Sequence, residues 1–397
     1  MQTLSETTIT FPMDGSKSES SLYGKGTRAD SLYASLLLFS AFSILIGVLW
    51  DISWHMSVGR DTLFSPPHLA IYLGGLLAGL SSIGKTIHTS FFSNDIDKAK
   101  AIRFWGLRAP LGTMFCIWGA GAMLTSAPFD DWWHNTYGLD VKILSPPHAL
   151  LALGILGIQL GSMLSILAIQ NRNPFLVFWK QAYVFSAGIT LTIMYIFVIE
   201  HMGRSRMHHP IFYQVAGGAL PLILLSGSSA AKVRFPTACV ALAYMVYFIL
   251  ALWISPLFPA EPKLSPVRNP VDHFVPLPFP LLLVLPAFAL DLLYLRIGNI
   301  ALWKKAFFSA AVFLFFLFLT QYFFSGFLQS PASRNWVFGS HEWAFYMNPD
   351  MKYRYAYIPF EGTPFHYGLG LTIALGLAFL SSYLGLKWGE WLKRIQR

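Results

Sequence analysis

Apolar and polar positions alternate in long blocks along this chain, with neither the two-residue period of strands nor the narrow stripe of soluble amphipathic helices. Apolar runs of about twenty residues, the length that crosses a bilayer, can be drawn at 33–54, 66–86, 108–129, 146–170, 175–199, 209–229, 235–255, 276–296, 304–327 and 364–387. The pattern predicts an all-α fold, a polytopic integral membrane helical bundle with about ten transmembrane helices. Residues 1–32 are rich in Ser, Thr and Gly without an apolar period, which predicts a flexible tail. The first apolar run lacks a small-residue cleavage site and reads as a retained helix rather than a secretory signal.

Composition agrees: the chain is 55% hydrophobic and 12% charged, which excludes an array of soluble domains. Its formal net charge of +9 would suit a nucleic-acid partner, but the distribution offers another cause. Nineteen of the 28 Lys and Arg fall in the two tails and in the links near 85–108, 171–180, 230–235 and 296–305. All of these segments lie on one side of the expected bundle. Because positive charge stays on the cytoplasmic side, both termini are expected in the cytoplasm, with the bacterial inner membrane as the natural setting. Anionic lipid headgroups are sufficient counter-ions, so no nucleic acid is called for. Cys116 and Cys239 fall in separate spans and read as small buried residues, not as a disulfide.

The histidines break the symmetry of the bundle. All of the eleven except His88 map to the side opposite the basic links, facing the periplasm or cell exterior. Two stretches there match one another. The first runs from Trp50-Asp51 through Trp54-His55-Met56, Gly59-Arg60-Asp61 and Ser65-Pro66-Pro67-His68, and the second from Asp130-Asp131 through Trp133-His134, Gly138 and Asp140 to Ser145-Pro146-Pro147-His148. Each joins the end of one expected helix to the start of the next, and two spans separate them, so the pattern predicts a parallel internal repeat of helical hairpins.

An acid four residues before a histidine shares its helix face, and Ser-Pro-Pro-His puts a second histidine in the first turn of the next helix, with Ser at the N-cap. The helix dipole there disfavours imidazolium and keeps that ring neutral, as a ligand must be. Asp51, His55 and His68, and likewise Asp130, His134 and His148, are therefore candidate ligands for copper, zinc or iron. Arg60 and Asp61 would fix the intervening loop. In the alternative reading the Trp and His are interfacial anchors, and the acids serve as caps or ion-pair partners.

The first stretch resembles the C subunit of the copper membrane monooxygenases, the particulate methane and ammonia monooxygenase family. That subunit carries D-x-x-W-H-M, then R-D-T-x-F, then T-P-S-H followed by a tyrosine. Asp51, Trp54, His55, Met56, Arg60, Asp61, Thr62, Phe64, Pro66, His68 and Tyr72 fall on this pattern, with Ser65 in place of the threonine. The resemblance implies one copper ion at Asp51, His55 and His68. A later family segment, N-x3-H-x13-H, implies a second at His134 and His148, where Asp130 replaces the asparagine. It covers roughly residues 33–170. The remaining residues, 171–397, form an additional six-helix region with long extracytoplasmic loops and contain nothing like the family's cupredoxin domain. The resemblance also implies further membrane or cupredoxin subunits, or a homo-oligomer, as partners within the lipid bilayer.

Glu200, His201, His208 and His209, with Met202 and Met207 among them, look like a shortened third hairpin and are weaker candidate ligands. The loops at 256–277 and 328–363 hold Asp272-His273, His341-Glu342 and many aromatics, and read as caps over that face. Asp291, near the opposite end of the eighth run, is expected to pair helices. Three functions are open at this point. The chain could be a copper-dependent oxidase or monooxygenase acting on a small substrate with O2, a non-catalytic copper protein for storage, sensing or delivery, or a transporter. The last would place polar groups near the membrane midplane, whereas the candidate ligands lie at one surface.

Overall fold

The computed structural model describes residues 19–395 apart from Asp61 and residues 96–97, 99–100, 139–144 and 174, and side chains from Arg28 onward. Among the described residues the elements are α1 (Glu19–Ser57), α2 (Pro66–Ile87), a small hairpin of β1 (Ile102–Phe104) and β2 (Leu107–Ala109), α3 (Leu111–Tyr137), α4 (Pro146–Arg172), α5 (Val177–Val198), α6 (Pro210–Ala230), α7 (Pro236–Ile254), α8 (Val284–Arg296), α9 (Leu302–Gln329) and α10 (Pro364–Leu392). A helix over each of the ten apolar runs is thus present. Helix α1 starts well inside the stretch expected as a tail.

Eight of the helices are long and apolar enough to cross a membrane, which makes the chain an integral membrane protein suited to a lipid bilayer. The two that fall short are α3 and α8. Helix α3 is long, but Gly, Thr, Ser and Trp dilute its apolar content. These small residues serve packing: a Cβ on Gly119 would lie 2.6 Å from the Gly154 carbonyl oxygen, and one on Gly161 2.4 Å from Cys116 Sγ. Only small residues let α3 and α4 approach so closely. Helix α8 has 13 residues, about 20 Å, against a hydrocarbon core of about 30 Å. The eighth run was expected to be helical from 276, but Pro276, Pro278 and Pro280 keep 276–282 out of helix. That segment is buried in the bundle at Leu277 and Leu281, and the Leu281 N–H donates to Tyr244 Oη at 3.1 Å. Non-helical backbone is tolerated at depth when protein satisfies it in this way.

Buried polar side chains tie the helices together. Tyr33 Oη on α1 meets Ser82 Oγ on α2 at 3.0 Å and donates to Thr113 Oγ1 on α3 at 2.9 Å. Gln159 on α4 donates to the Ala41 carbonyl on α1. In α6, Pro221 removes one backbone donor, and the next N–H, that of Leu222, donates to Ser381 Oγ on α10 at 2.9 Å. Asp291 on α8 accepts from the N–H groups of Thr237 (3.1 Å) and Ala238 (2.8 Å), capping α7 from a neighbouring helix. Its expected role in helix pairing takes this specific form.

The contacts of Tyr33 gather the start of α1, the end of α2 and the start of α3 at one end of the bundle. There Asp30 Oδ1 lies 2.6 Å from Lys85 Nζ and Asp30 Oδ2 lies 3.3 Å from Arg172 Nη1. The opposite end holds the end of α1, the start of α2, the end of α3 and the start of α4, and therefore both Asp/His stretches. The long loops between α7 and α8 and between α9 and α10 fold over it. The Phe345 N–H donates to the Met56 carbonyl at 3.0 Å, the Lys263 N–H to the Val58 carbonyl at 2.8 Å, and Ser53 Oγ to the Val275 carbonyl at 2.6 Å. These loops thus clamp the C-terminal end of α1.

Candidate metal centres

Asp51 and His55 sit one turn apart near the end of α1, and His68 is the third residue of α2. His55 Nε2 lies 3.7 Å from Asp51 Oδ2, and His68 Nε2 lies 3.3 Å from Asp51 Oδ1. The far side of each ring meets backbone: His55 Nδ1 is 3.2 Å from the Gly59 carbonyl oxygen, and His68 Nδ1 is 2.9 Å from that of Thr62. A neutral imidazole has one N–H; in the tautomer that gives it to the carbonyl, each Nε2 presents a lone pair beside the carboxylate, the arrangement a cation would complete.

The second group has the same placement at the end of α3 and the start of α4, but there both rings face one oxygen of the aspartate. His134 Nε2 and His148 Nε2 lie 3.4 and 3.5 Å from Asp130 Oδ1, and His134 Nδ1 is 3.0 Å from the Gly138 carbonyl oxygen. One ligand atom from each of the three residues lies within 4.8 Å of the others. Metal–ligand bonds of 2.0–2.1 Å in a tetrahedral site put neighbouring ligands about 3.3 Å apart, so the second set fits a small N/O-binding cation, whereas in the first the two rings face different oxygens of Asp51 and the three ligand atoms do not close to the same degree. These Asp–His separations also exceed the 2.7–2.9 Å usual for a charge-assisted hydrogen bond.

The histidine-to-glycine spacing has a local cause. Gly59 and Gly138 have φ of +87° and +88°, a region that L side chains rarely adopt. They end α1 and α3 and turn their carbonyls back onto the histidine one turn earlier, as a C-terminal helix cap does. The carbonyl that orients each imidazole is therefore a by-product of helix termination. At the other side, Ser145 Oγ accepts from the His148 backbone N–H at 3.4 Å. Ser65 holds the corresponding N-cap position, but its side chain makes no capping bond; Pro66 and Pro67 set the helix start there. Trp54 Nε1 donates to the Arg60 carbonyl at 3.1 Å, so it is the backbone of Arg60 that fixes the loop, while its side chain is exposed. Asp61, Asp140 and Lys142 lie outside the described residues. Tyr72 stands beside His68, ring centres 6.0 Å apart.

The weaker candidates are not gathered in the same way. Glu200 and His201 are exposed in a short turn after α5. His208 is sandwiched between Tyr322 and Tyr357 with ring centres 3.7 Å apart on each side, and its Nε2 is 2.9 Å from the Tyr322 carbonyl oxygen. His209 Nδ1 accepts from the Ile211 N–H at 3.2 Å as the N-cap of α6. Burial, with the nearby Arg206 charge, holds this ring below its ordinary pKa, consistent with an acceptor nitrogen. Met202 and Met207 are buried in the hydrophobic core.

An acid/histidine cluster to which no ligands were assigned from sequence forms where the two long loops meet. Glu342 Oε1 lies 2.8 Å from His341 Nε2 and its Oε2 3.1 Å from His273 Nε2, while His273 Nδ1 lies 2.5 Å from Asp272 Oδ1. Both His273 nitrogens therefore meet carboxylates, the pattern of an ion-paired imidazolium joining two loops. Burial works against its charge, but the two acids outweigh burial and raise its pKa.

Comparison with protein-family models, with curated proteins and with solved structures finds no match to this chain.

Proposed function

We propose that this membrane protein holds one metal ion in each Asp/His group, that the ion is copper, and that the chain acts as a membrane oxidase or monooxygenase on a small substrate. The observation that carries the reading is the matched pair of donor sets. In each, one aspartate carboxylate faces two imidazole Nε2 atoms at 3.3–3.7 Å, through a single oxygen at Asp130 and through both oxygens at Asp51. Asp51, His55 and His68 would hold one ion and Asp130, His134 and His148 the other, as expected from an internal duplication of the hairpin. Copper comes from the resemblance of residues 51–72 to the monooxygenase C subunit, since imidazole and carboxylate would also accept zinc or iron. When bound, copper would supply one-electron redox chemistry toward O2. The protein's own part is to orient three of the four rings, those of His55, His68 and His134, through the Gly59, Thr62 and Gly138 carbonyls. Asp130 in place of a neutral amide lowers the net charge of the second site and favours the oxidised ion there.

A second reading, reversible metal storage or delivery, draws on one observation: the His55 side chain is 48% exposed, an open route for ligand exchange. The two readings separate in one experiment. Protein in lipid nanodiscs is loaded with copper, reduced, and followed for O2 consumption with small apolar substrates. Turnover lost in both His55→Ala and His134→Ala supports oxidation. Bound copper without turnover, passed to a competing chelator within minutes, supports handling. Protein that binds no copper refutes both.

A further inference from the structure

At the same end of the bundle, three arginines converge on two aromatic rings. Arg204 comes from the link between α5 and α6, and Arg334 and Arg354 from the loop between α9 and α10. The Arg204 guanidinium carbon lies 4.7 Å from the centre of the Trp343 ring, that of Arg354 5.0 Å from the same ring, and that of Arg334 3.6 Å from the Tyr355 ring. Trp343 and Tyr355 meet edge to face, ring centres 6.0 Å apart. Arg204 Nη2 donates to the Ser340 carbonyl at 2.8 Å and Arg354 Nη2 to Asn269 Oδ1 at 3.4 Å.

Three like charges so placed call for a counter-charge, and the described residues supply none in contact. Among the described residues no carboxylate lies within 4.0 Å of any of the three guanidiniums. The acid next to Trp343 is Glu342, and both of its oxygens are engaged by His273 and His341. Stacking on aromatic rings offsets only part of the repulsion. Burial, reinforced by Arg334 and Arg354, pulls the Arg204 pKa down to about 10. Burial alone would raise the Tyr355 hydroxyl, but the Trp343 indole and the Arg354 and Arg334 charges bring it below its ordinary value. Ser340, buried next to Arg204's hydrogen bond, has an Oγ with no hydrogen-bond partner. The cluster thus has excess positive charge, planar donor forks and an unused hydroxyl.

We infer that Arg204, Arg334 and Arg354, with Tyr355 and Ser340, form an anion site for a phosphoryl group, carried either by free phosphate or by an anionic phospholipid headgroup. Guanidinium forks bond paired oxygens of phosphate, and three of them match a tetrahedral oxyanion better than a single carboxylate. The site is independent of the metal reading, and its test needs no metal.

Arg334 is the variant of choice because it is exposed and its side chain makes no hydrogen bond that holds the fold, whereas Arg204 braces the loop. Full-length protein in phosphatidylcholine nanodiscs is titrated calorimetrically with inorganic phosphate. In a second arm, nanodiscs are assembled with mixed phosphatidylcholine and phosphatidylglycerol, and the lipid retained is identified by native mass spectrometry. Saturable phosphate binding assigns the free anion, and selective retention of phosphatidylglycerol assigns the headgroup. In either case Arg334→Gln weakens the interaction about tenfold, as the loss of one charge-assisted hydrogen bond requires, and Arg334→Lys falls between. Wild-type protein with neither phosphate binding nor phosphatidylglycerol retention overturns the assignment. So does an interaction of equal strength in Arg334→Gln with an unchanged melting temperature.

Discussion

Gly59→Ala and Gly138→Ala are the same substitution at equivalent places in the two hairpins, yet they should differ in cost. At Gly138, φ is +88° and ψ −169°, backbone open essentially to glycine alone, which costs an alanine about 1–3 kcal/mol. No described residue lies within 4 Å of the added Cβ, so the described surroundings add no further term. At Gly59 the φ of +87° is equally unfavourable, and the Cβ would lie 2.7 Å from Phe345 Cζ and 2.8 Å from Cε1. Phe345 cannot simply retreat, because its backbone is bonded to Met56 and to Arg268 and Asn269. Overpacking of this kind adds about 1–3 kcal/mol, for a total of about 2–6 kcal/mol. Denaturant unfolding in mixed micelles measures both. A Phe345→Leu background removes the clash and should recover only the additional part at Gly59, with no effect at Gly138. Equal costs at the two glycines, or a Gly59→Ala penalty unchanged by Phe345→Leu, would refute the clamp of the α9–α10 loop on the end of α1.

Asp291→Ala leaves the Thr237 and Ala238 N–H groups without their acceptor, and should lower stability by about 1–2 kcal/mol, the usual worth of an N-cap, with metal content unchanged. His208→Ala empties the tyrosine sandwich and should cost about 1–3 kcal/mol from two lost ring stacks, again at wild-type metal content, which separates His208 from the ligands. The His273 ion pair has a pH sign. Its pKa is raised above the ordinary 6.5, so its contribution is complete below that value and disappears as pH rises through the raised one. Hydrogen exchange in 256–283, corrected for intrinsic rates, should show more opening at alkaline than at mildly acidic pH, and His273→Gln should abolish the difference.

Local chemistry carried much of this into the sequence. The ten apolar runs, the Ser-Pro-Pro-His starts of α2 and α4, and the Asp-x3-His spacing act within one helix turn, and the structure brings together each triad read from them. The three prolines at 276, 278 and 280 also signalled the non-helical entry to α8, but the apolar run around them suggested helix. What escaped were partnerships between residues far apart in the chain. Asp291 caps a helix that begins at Pro236, His208 stacks on Tyr322 and Tyr357, and Arg204 meets Arg334 and Arg354. No periodicity records such pairings, because they arise only when the long loops fold back over the bundle. The H-x3-G spacing shared by His55–Gly59 and His134–Gly138 is visible in the sequence, but its use depends on the positive φ of both glycines, which sequence spacing does not record.

The most direct test of the central claim is metal stoichiometry of the full-length protein in nanodiscs, by elemental analysis after loading with copper and separately with zinc, in wild type, His55→Ala, His134→Ala and the double variant. Two ions per chain in wild type, one in each single variant and none in the double would establish two independent Asp/His sites, with the tighter metal identifying the ion. Wild-type protein that holds no metal after loading, or metal retained in the double variant, would contradict the account and return both triads to the role of helix-end caps.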